Sequence, residues 1–94
     1  MITRLVKMKF TNSGIAEFIE IFEESAAKIR AFPGCQGVRL FRSCDDPAIL
    51  FTISQWDSTE ALNQYRASEL FKQTWTRTKR LFEDKAEAWS LDPM

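Results

Sequence analysis

The sequence predicts an α+β fold in which helices cover one face of a four-stranded antiparallel sheet. Segments whose apolar residues recur at every second position, as in strands, alternate with segments where they recur at every third or fourth position, as in helices. Their order is strand, helix, strand, strand, helix pair, strand, which is the ferredoxin-like split βαβ arrangement. A chain of 94 residues has room for one core, so residues 1–94 are predicted to form a single domain.

The first strand and the first helix occupy the N-terminal third of the chain. A period of two among apolar residues predicts a strand over Ile2–Phe10. The run Thr11–Gly14 supplies helix-capping residue types, and an amphipathic repeat from Ile15 predicts a long helix after it. Because Pro33 disfavours the helical conformation at the preceding residue, the helix is expected to stop near Phe32.

The rest of the chain predicts a hairpin, two helices and a last strand. Gly37–Ser43 and residues 48–56 read as antiparallel strands joined by a turn. The run Asp57–Glu60 resembles a capping box with Asp57 as the cap, and Ser68 is a second cap candidate before a helical stripe that continues to Phe82. Residues 86–91 alternate as an edge strand.

The third strand has apolar residues of both parities, which predicts a homodimer. Ile49, Phe51 and Ile53 form one row, and Leu50 belongs to the other. Helices can cover only one sheet face, so the second face needs a partner, and a second copy of the same sheet is the simplest cover. Parity alone leaves open which of the two rows faces the helices.

Composition excludes several classes of partner. Thirteen basic residues balance thirteen acidic ones, so neither nucleic acid nor an anionic membrane surface is expected as a partner. No apolar run reaches the length of a membrane span, and no signal peptide is recognised, which favours the cytoplasm. Cys35 and Cys44 flank one strand and would lie about 30 Å apart, too far for a disulfide. The chain has no histidine, so the commonest general base and metal ligand are both missing, and no metal or cofactor is expected.

Four short segments resemble the antibiotic biosynthesis monooxygenase family. They are Pro33–Gly37, Asp45–Pro47, Trp56–Leu62 and Ser68–Phe71. The resemblance extends from Ile2 to Leu91 and rests on the order and spacing of turns, caps and core positions. It implies a dimeric α+β barrel with a pocket between sheet and helices in each subunit. Some members of the family oxidise polycyclic phenols or quinols with molecular oxygen and without metal or flavin, whereas other relatives degrade haem.

The chain departs from this family at two positions. Many members carry a histidine in the helix after the Trp56 segment, where this chain has Tyr65. The position that matches the haem-ligand histidine of the haem-degrading branch is Trp75, and Tyr65 stands where that branch has a pocket tryptophan. Without a histidine to ligate iron, haem degradation in the manner of that branch is not expected.

Eight residues are candidates for a site. Tyr65 could hydrogen-bond a substrate oxygen or pass a proton, and Asn63 could stabilise an oxyanion. The predicted substrate-binding residues are Trp75, Phe71, Trp56, Arg39, Thr52 and Ser54. Each has a structural alternative, since aromatic residues at helical spacing are commonly core and polar strand residues commonly decorate a sheet.

Two functions fit these observations. The first is a cofactor-independent monooxygenase acting on a small aromatic or quinol-type substrate. The alternative is a non-catalytic homodimer that binds a small hydrophobic ligand, or is associated with stress, and the missing histidine favours it.

Overall fold

Four strands and three α-helices follow one another in the predicted order in a computed structural model that describes residues 1–94. The elements are β1 (Ile2–Lys9), a 3-10 turn (Asn12–Gly14), α1 (Ile15–Arg30), β2 (Cys35–Arg42), β3 (Ile49–Trp56), α2 (Thr59–Arg66), α3 (Glu69–Lys79) and β4 (Glu87–Leu91). The α+β fold predicted from the sequence is confirmed.

All neighbouring strands in the sheet are antiparallel. The strand order is β2-β3-β1-β4, which makes β4 an edge strand as predicted and puts β1 and β3 in the centre. Leu50 is almost fully buried in the core that includes α1, whereas Phe51 on the same strand is only partly buried. The row of Leu50 therefore faces the helices, and the row of Ile49, Phe51 and Ile53 faces away.

Several element ends differ from those predicted. Ser58, not Asp57, caps α2, because Ser58 Oγ accepts a hydrogen bond from the Ala61 N–H at 3.1 Å. Asp57 is instead held at the end of β3, where its N–H donates to the Gly34 carbonyl at 2.8 Å. The expected capping run Thr11–Gly14 contributes no side-chain cap, because a 3-10 turn leads directly into α1.

The two C-terminal helical predictions have mixed outcomes. The cap predicted at Ser68 is confirmed, since its Oγ accepts from the Phe71 N–H at 3.2 Å. α3 ends at Lys79 rather than reaching Phe82. Phe82 forms an isolated antiparallel bridge with Phe10 instead, so its side chain reaches the core from a bridge position outside the helix.

Two clusters of buried side chains hold the helices on the sheet. The larger cluster contains Met8, Phe10, Phe18, Ile21, Leu50 and Leu81. The smaller cluster contains Ile29, Val38, Trp56 and Leu62. Together they join α1, α2 and the segment after α3 to β1, β2 and β3, and a cavity remains between them.

Gly34 makes a close contact between the turn before β2 and the helix α2. Its φ is +87°, a conformation that glycine adopts at little cost. A Cβ atom built on Gly34 would lie 2.5 Å from the Cβ of Ala61. The turn can therefore approach the helix this closely only because the residue has no side chain.

The sheet face opposite the helices carries large apolar side chains in contact with solvent. The exposed fractions of Phe41, Trp89 and Leu91 are 38%, 42% and 45%. We call this surface the open face and define it by its apolar members, Leu5, Phe41, Ile49, Phe51, Ile53, Trp89 and Leu91. A monomer in water would leave this face uncovered.

Two smaller predictions have structural outcomes. Cys35 and Cys44 are both free thiols, as expected from their positions at the two ends of one strand. None of the helices combines the length and the apolar character that crossing a membrane requires.

Candidate functional site

A cavity of about 290 Å³ lies between the helices and the sheet. Fourteen of its 21 lining residues are hydrophobic. Small-molecule sites are usually concave and mainly apolar, with a few polar groups that orient the ligand. The cavity has this character.

Aromatic rings from β3, α2 and α3 form one continuous wall. Tyr65 stacks on Trp56 with ring centroids 4.8 Å apart, and Phe71 meets Tyr65 edge-on at 5.3 Å. Phe71 in turn lies nearly parallel to Trp75 at 5.8 Å. All four residues line the cavity, so a flat aromatic ligand would find both ring faces and ring edges to pack against.

The sheet supplies polar groups to the cavity beside the aromatic wall. Thr52 and Ser54 share the parity of Leu50 in β3 and line the cavity. Ser54 Oγ accepts a hydrogen bond from Trp56 Nε1 at 3.0 Å, which satisfies the indole N–H and leaves the serine proton free to donate. Arg4, in the neighbouring strand, pairs in register with Ser54.

Tyr65 is the only tyrosine in the chain and is surrounded by aromatic rings. Burial raises the pKa of its hydroxyl to about 12, and the nearby Cys35 thiol adds to the rise. The phenol is therefore neutral at physiological pH. In this state it can donate a hydrogen bond to a ligand oxygen, but it is not a base.

Because there is one tyrosine, its ionisation can be followed by the ultraviolet absorbance of tyrosinate. We expect a native midpoint of about 12 and a midpoint of about 10 in urea. The raised pKa contributes stability that is fully present below pH 10 and is lost as the pH rises toward 12, because the unfolded phenol releases its proton first. A native midpoint equal to the one in urea would contradict the buried position of Tyr65.

Six of the eight predicted site residues line this one cavity. They are Tyr65, Trp75, Phe71, Trp56, Thr52 and Ser54. Their predicted roles toward a substrate stay predictions, but their placement brings the phenol, the aromatic wall and two hydroxyl groups together.

The other two residues lie elsewhere, which corrects the expectation that they enter the cavity. Asn63 is exposed on α2, because it lies one residue after the inward Leu62 and two before the inward Tyr65, and a helix turns about 100° per residue. Arg39 pairs with Ile53 in register and therefore lies on the open face, with its guanidinium 4.9 Å from the centroid of the Phe41 ring.

Two charged residues that were not predicted as site residues also line the cavity, Arg4 and Arg66. A signal was available for Arg4, because it shares the parity of Val6 and Met8, which face the core. No comparable signal exists for Arg66, the last residue of α2, since a basic residue in that position is typical of a solvated helix end.

The cavity lining contains no carboxylate, and no group of three or more His, Cys, Asp or Glu side chains that could hold a metal ion is present in the structure. The titratable side chains of the lining are Arg4, Arg66 and Tyr65. Their hydrogens can be donated to a ligand, so the arrangement favours binding and stabilising an oxygen atom that carries negative charge.

The model of the antibiotic biosynthesis monooxygenase family matches residues 1–77. This chain is a member of that family. Membership supports a monooxygenase-like role and agrees with the resemblance of the four short segments. No curated protein sequence matches this family member significantly.

Three solved structures have the same fold as this chain. A protein described as an antibiotic biosynthesis monooxygenase superposes with a TM-score of 0.92 at 20% identity, covering 100% of this chain and 99% of its own. Rv0793 from Mycobacterium tuberculosis gives 0.91 at 17% identity, covering 99% and 94%. A mutant of SnoaB, a cofactor-independent oxygenase from Streptomyces nogalater, gives 0.87 at 22% identity, covering 98% and 91%. These likenesses establish the fold of the family in this chain.

Proposed function

We propose that the protein is a cofactor-independent monooxygenase for a small aromatic or quinol-type substrate, working as a homodimer of one-domain subunits. The observation that carries the proposal is the cavity itself, which is lined by the four-ring aromatic wall and by hydroxyl groups of β3. Membership of the antibiotic biosynthesis monooxygenase family supports it. The wall suits a flat ring system, and the hydroxyl groups suit its oxygen substituents.

The reaction we propose needs no electron donor other than the substrate. In the oxidation of an anthrone to an anthraquinone by O₂, one oxygen atom becomes the new carbonyl, and the other leaves as water with the two hydrogens of the methylene group. The substrate loses the electrons that reduce oxygen, after its own proton has been released. The protein then has two tasks, to bind the ring system and to stabilise the substrate anion. Negative charge accumulates on the oxygen of this anion before O₂ reacts.

The residue we propose for stabilising that charge is Tyr65. Its hydroxyl is neutral because burial raises its pKa to about 12, and hydrogen bonds from a neutral donor to an anion are stronger than those between neutral groups. The stacking of its ring on Trp56 at 4.8 Å limits the directions that the hydroxyl can take. We propose that Tyr65 donates to the ionised oxygen of the substrate.

The test is oxygen consumption with a panel of anthrones and quinols, comparing wild type with Tyr65→Phe. The variant keeps the ring but loses the hydroxyl, so we expect kcat to fall by about 10- to 100-fold with a smaller change in KM. Thr76→Val is the matched control, because it removes a hydroxyl from an exposed position of α3 outside the cavity. Oxygen consumption no faster than that of heat-denatured protein would count against an enzyme.

A second candidate function is binding of a small hydrophobic ligand without chemistry. It is favoured by the absence of carboxylate from the cavity lining and of histidine from the chain, because the protein then offers no ordinary base to start the reaction. Tight binding of an anthrone or quinol with no oxygen consumption would support this second function.

A further inference from the structure

Two arginine side chains lie at the same cavity without a charged partner. Arg4 belongs to β1 and Arg66 ends α2, and both line the cavity. The ion pairs of the structure involve Lys9, Arg77 and Arg80 as their basic members, not Arg4 or Arg66. Two guanidinium groups that share a cavity without a carboxylate repel each other, and an anion between them would remove that repulsion.

The surroundings of Arg4 are polar on the sheet side. Arg4 is flanked in register by Ser54 on β3 and by Ser90 on β4. It donates one hydrogen bond, from Nη1 to Ser90 Oγ at 3.0 Å. An arginine has five N–H donors, so most of those of Arg4 are available to a ligand. Burial lowers the pKa of Arg4, and the charge of Arg66 lowers it further.

The cavity carries its two charged residues toward one end. Along β1 the lining runs from Arg4, which pairs with Ser54, to Met8, which packs with Phe18 in the core. Arg66 lies close enough to Arg4 for their charges to interact, so we call this the polar end; the remaining polar residues of the lining are uncharged. Ser90 and Ala88 beside Arg4 are exposed, as is Arg66, so the polar end is the end that opens to solvent. A ligand that matches this gradient has an apolar ring system inside and a charged group at the entrance.

We infer that the ligand of this cavity is an aromatic molecule bearing an anionic oxygen group, a carboxylate or an ionised phenol or enol, and that Arg4 and Arg66 together hold that group. This inference rests on the proposed function in one respect, because both take this cavity as the substrate site. It narrows the substrate class to acidic aromatics, and it assigns recognition to two residues that lie on different elements. The guanidinium fork suits a carboxylate or a pair of ring oxygens, because it donates two parallel hydrogen bonds.

The test uses ligands with one ring system and different charge. Calorimetric titration at pH 8 would compare 2-naphthoate, which is anionic, with 2-naphthamide, which is neutral and of similar shape. We expect 2-naphthoate to bind wild type at least about tenfold more tightly, because hydrogen bonds to charged groups are the stronger kind. Equal affinity for the two, or no binding of 2-naphthoate, would overturn the inference.

Variants identify the residues. Arg4→Gln and Arg66→Gln should each reduce 2-naphthoate affinity by about tenfold and leave 2-naphthamide within about twofold. Arg42→Gln is the matched control, because Arg42 is an exposed arginine at the end of β2 outside the cavity. Arg66 is exposed, so Arg66→Gln is expected to fold even if Arg4→Gln does not. Unchanged preference for the anion in Arg66→Gln and in a folded Arg4→Gln would contradict the assignment.

A third ligand, 2-naphthol, tests whether the site binds an ionised phenol as well as a carboxylate. If the site accepts ionised phenols, bound 2-naphthol should ionise about one pH unit lower than free 2-naphthol, seen as the naphtholate absorption. A preference for 2-naphthoate without this shift supports the inference with a carboxylate as the ligand group. Failure of the proposed function would look different, because a protein that selects anions but consumes no oxygen keeps the inference and loses the monooxygenase assignment.

Discussion

Replacing Ile53 by glutamate should convert the protein from a dimer into a monomer. Ile53 lies on the open face between Leu5 of β1 and Arg39 of β2. A second copy of the sheet would place it in an isologous interface, so the change enters the dimer twice. Burying the two carboxylates should cost the dimer at least about 4 kcal/mol, which is roughly a thousandfold in the dissociation constant.

Light scattering at micromolar concentration measures the result. Wild type should have twice the mass of the 10.9 kDa chain, and Ile53→Glu should have the mass of one chain. Gln64→Glu is the matched control, because it adds the same charge at an exposed position of α2, away from the open face, and it should remain dimeric. A stable, folded wild-type protein at 10.9 kDa would refute the dimer.

Gly34→Ala is expected to be the most destabilising of the three glycine-to-alanine substitutions in the chain. Two effects add, because φ at this position is +87° and because the new methyl group would lie 2.5 Å from the Cβ of Ala61. Left-handed backbone costs about 1–2 kcal/mol for a residue with a side chain, and overpacking costs about 1–3 kcal/mol. We expect the free energy of unfolding to fall by about 2–5 kcal/mol in urea denaturation at fixed protein concentration.

Two further variants separate these effects. Gly37 also has a positive φ, at +156°, but a Cβ built there would meet no atom within 4 Å. Gly37→Ala should therefore lower the free energy of unfolding by less than Gly34→Ala does. Combining Gly34→Ala with Ala61→Gly removes the methyl group that clashes and should restore part of the stability. If Gly34→Ala unfolds at the same urea concentration as wild type, the close contact between the turn and α2 is not present in solution.

The sequence predicts the fold better than it predicts the site, because the two depend on different information. A period of two is enough to locate β1 and β3, and a cap is recognised from one serine and its neighbours, as at Ser68. Which row of β3 meets the helices depends on where the helices pack, and no local pattern contains that. The face on which Arg39 lies is also hard to predict. The register shift between Cys35 and Gly37 at the start of β2 interrupts the alternation of side chains from which that face would be read.

The errors at the site have two causes, one within a single element and one between elements. Asn63 was predicted from its chemistry, although its angle on the helix relative to Leu62 already directs it to solvent. The cavity includes Arg4 and Arg66 because β1 and α2 come together in the fold, and these residues are far apart in sequence. Sequence patterns predict which face of one element is buried, but a site made by two elements requires their relative position.

The three tryptophans lie in three different surroundings, with consequences for spectroscopy. Trp56 is fully buried, Trp75 lines the cavity, and Trp89 is 42% exposed on the open face. Indole emission moves to shorter wavelength as water is removed from the ring. Unfolding therefore changes the emission of Trp56 most. A ligand in the cavity changes that of Trp75 and also that of Trp56, because both line the cavity, whereas the proposed second subunit on the open face changes that of Trp89. Variants that keep one indole each would let the native protein report these three events separately, without any attached dye.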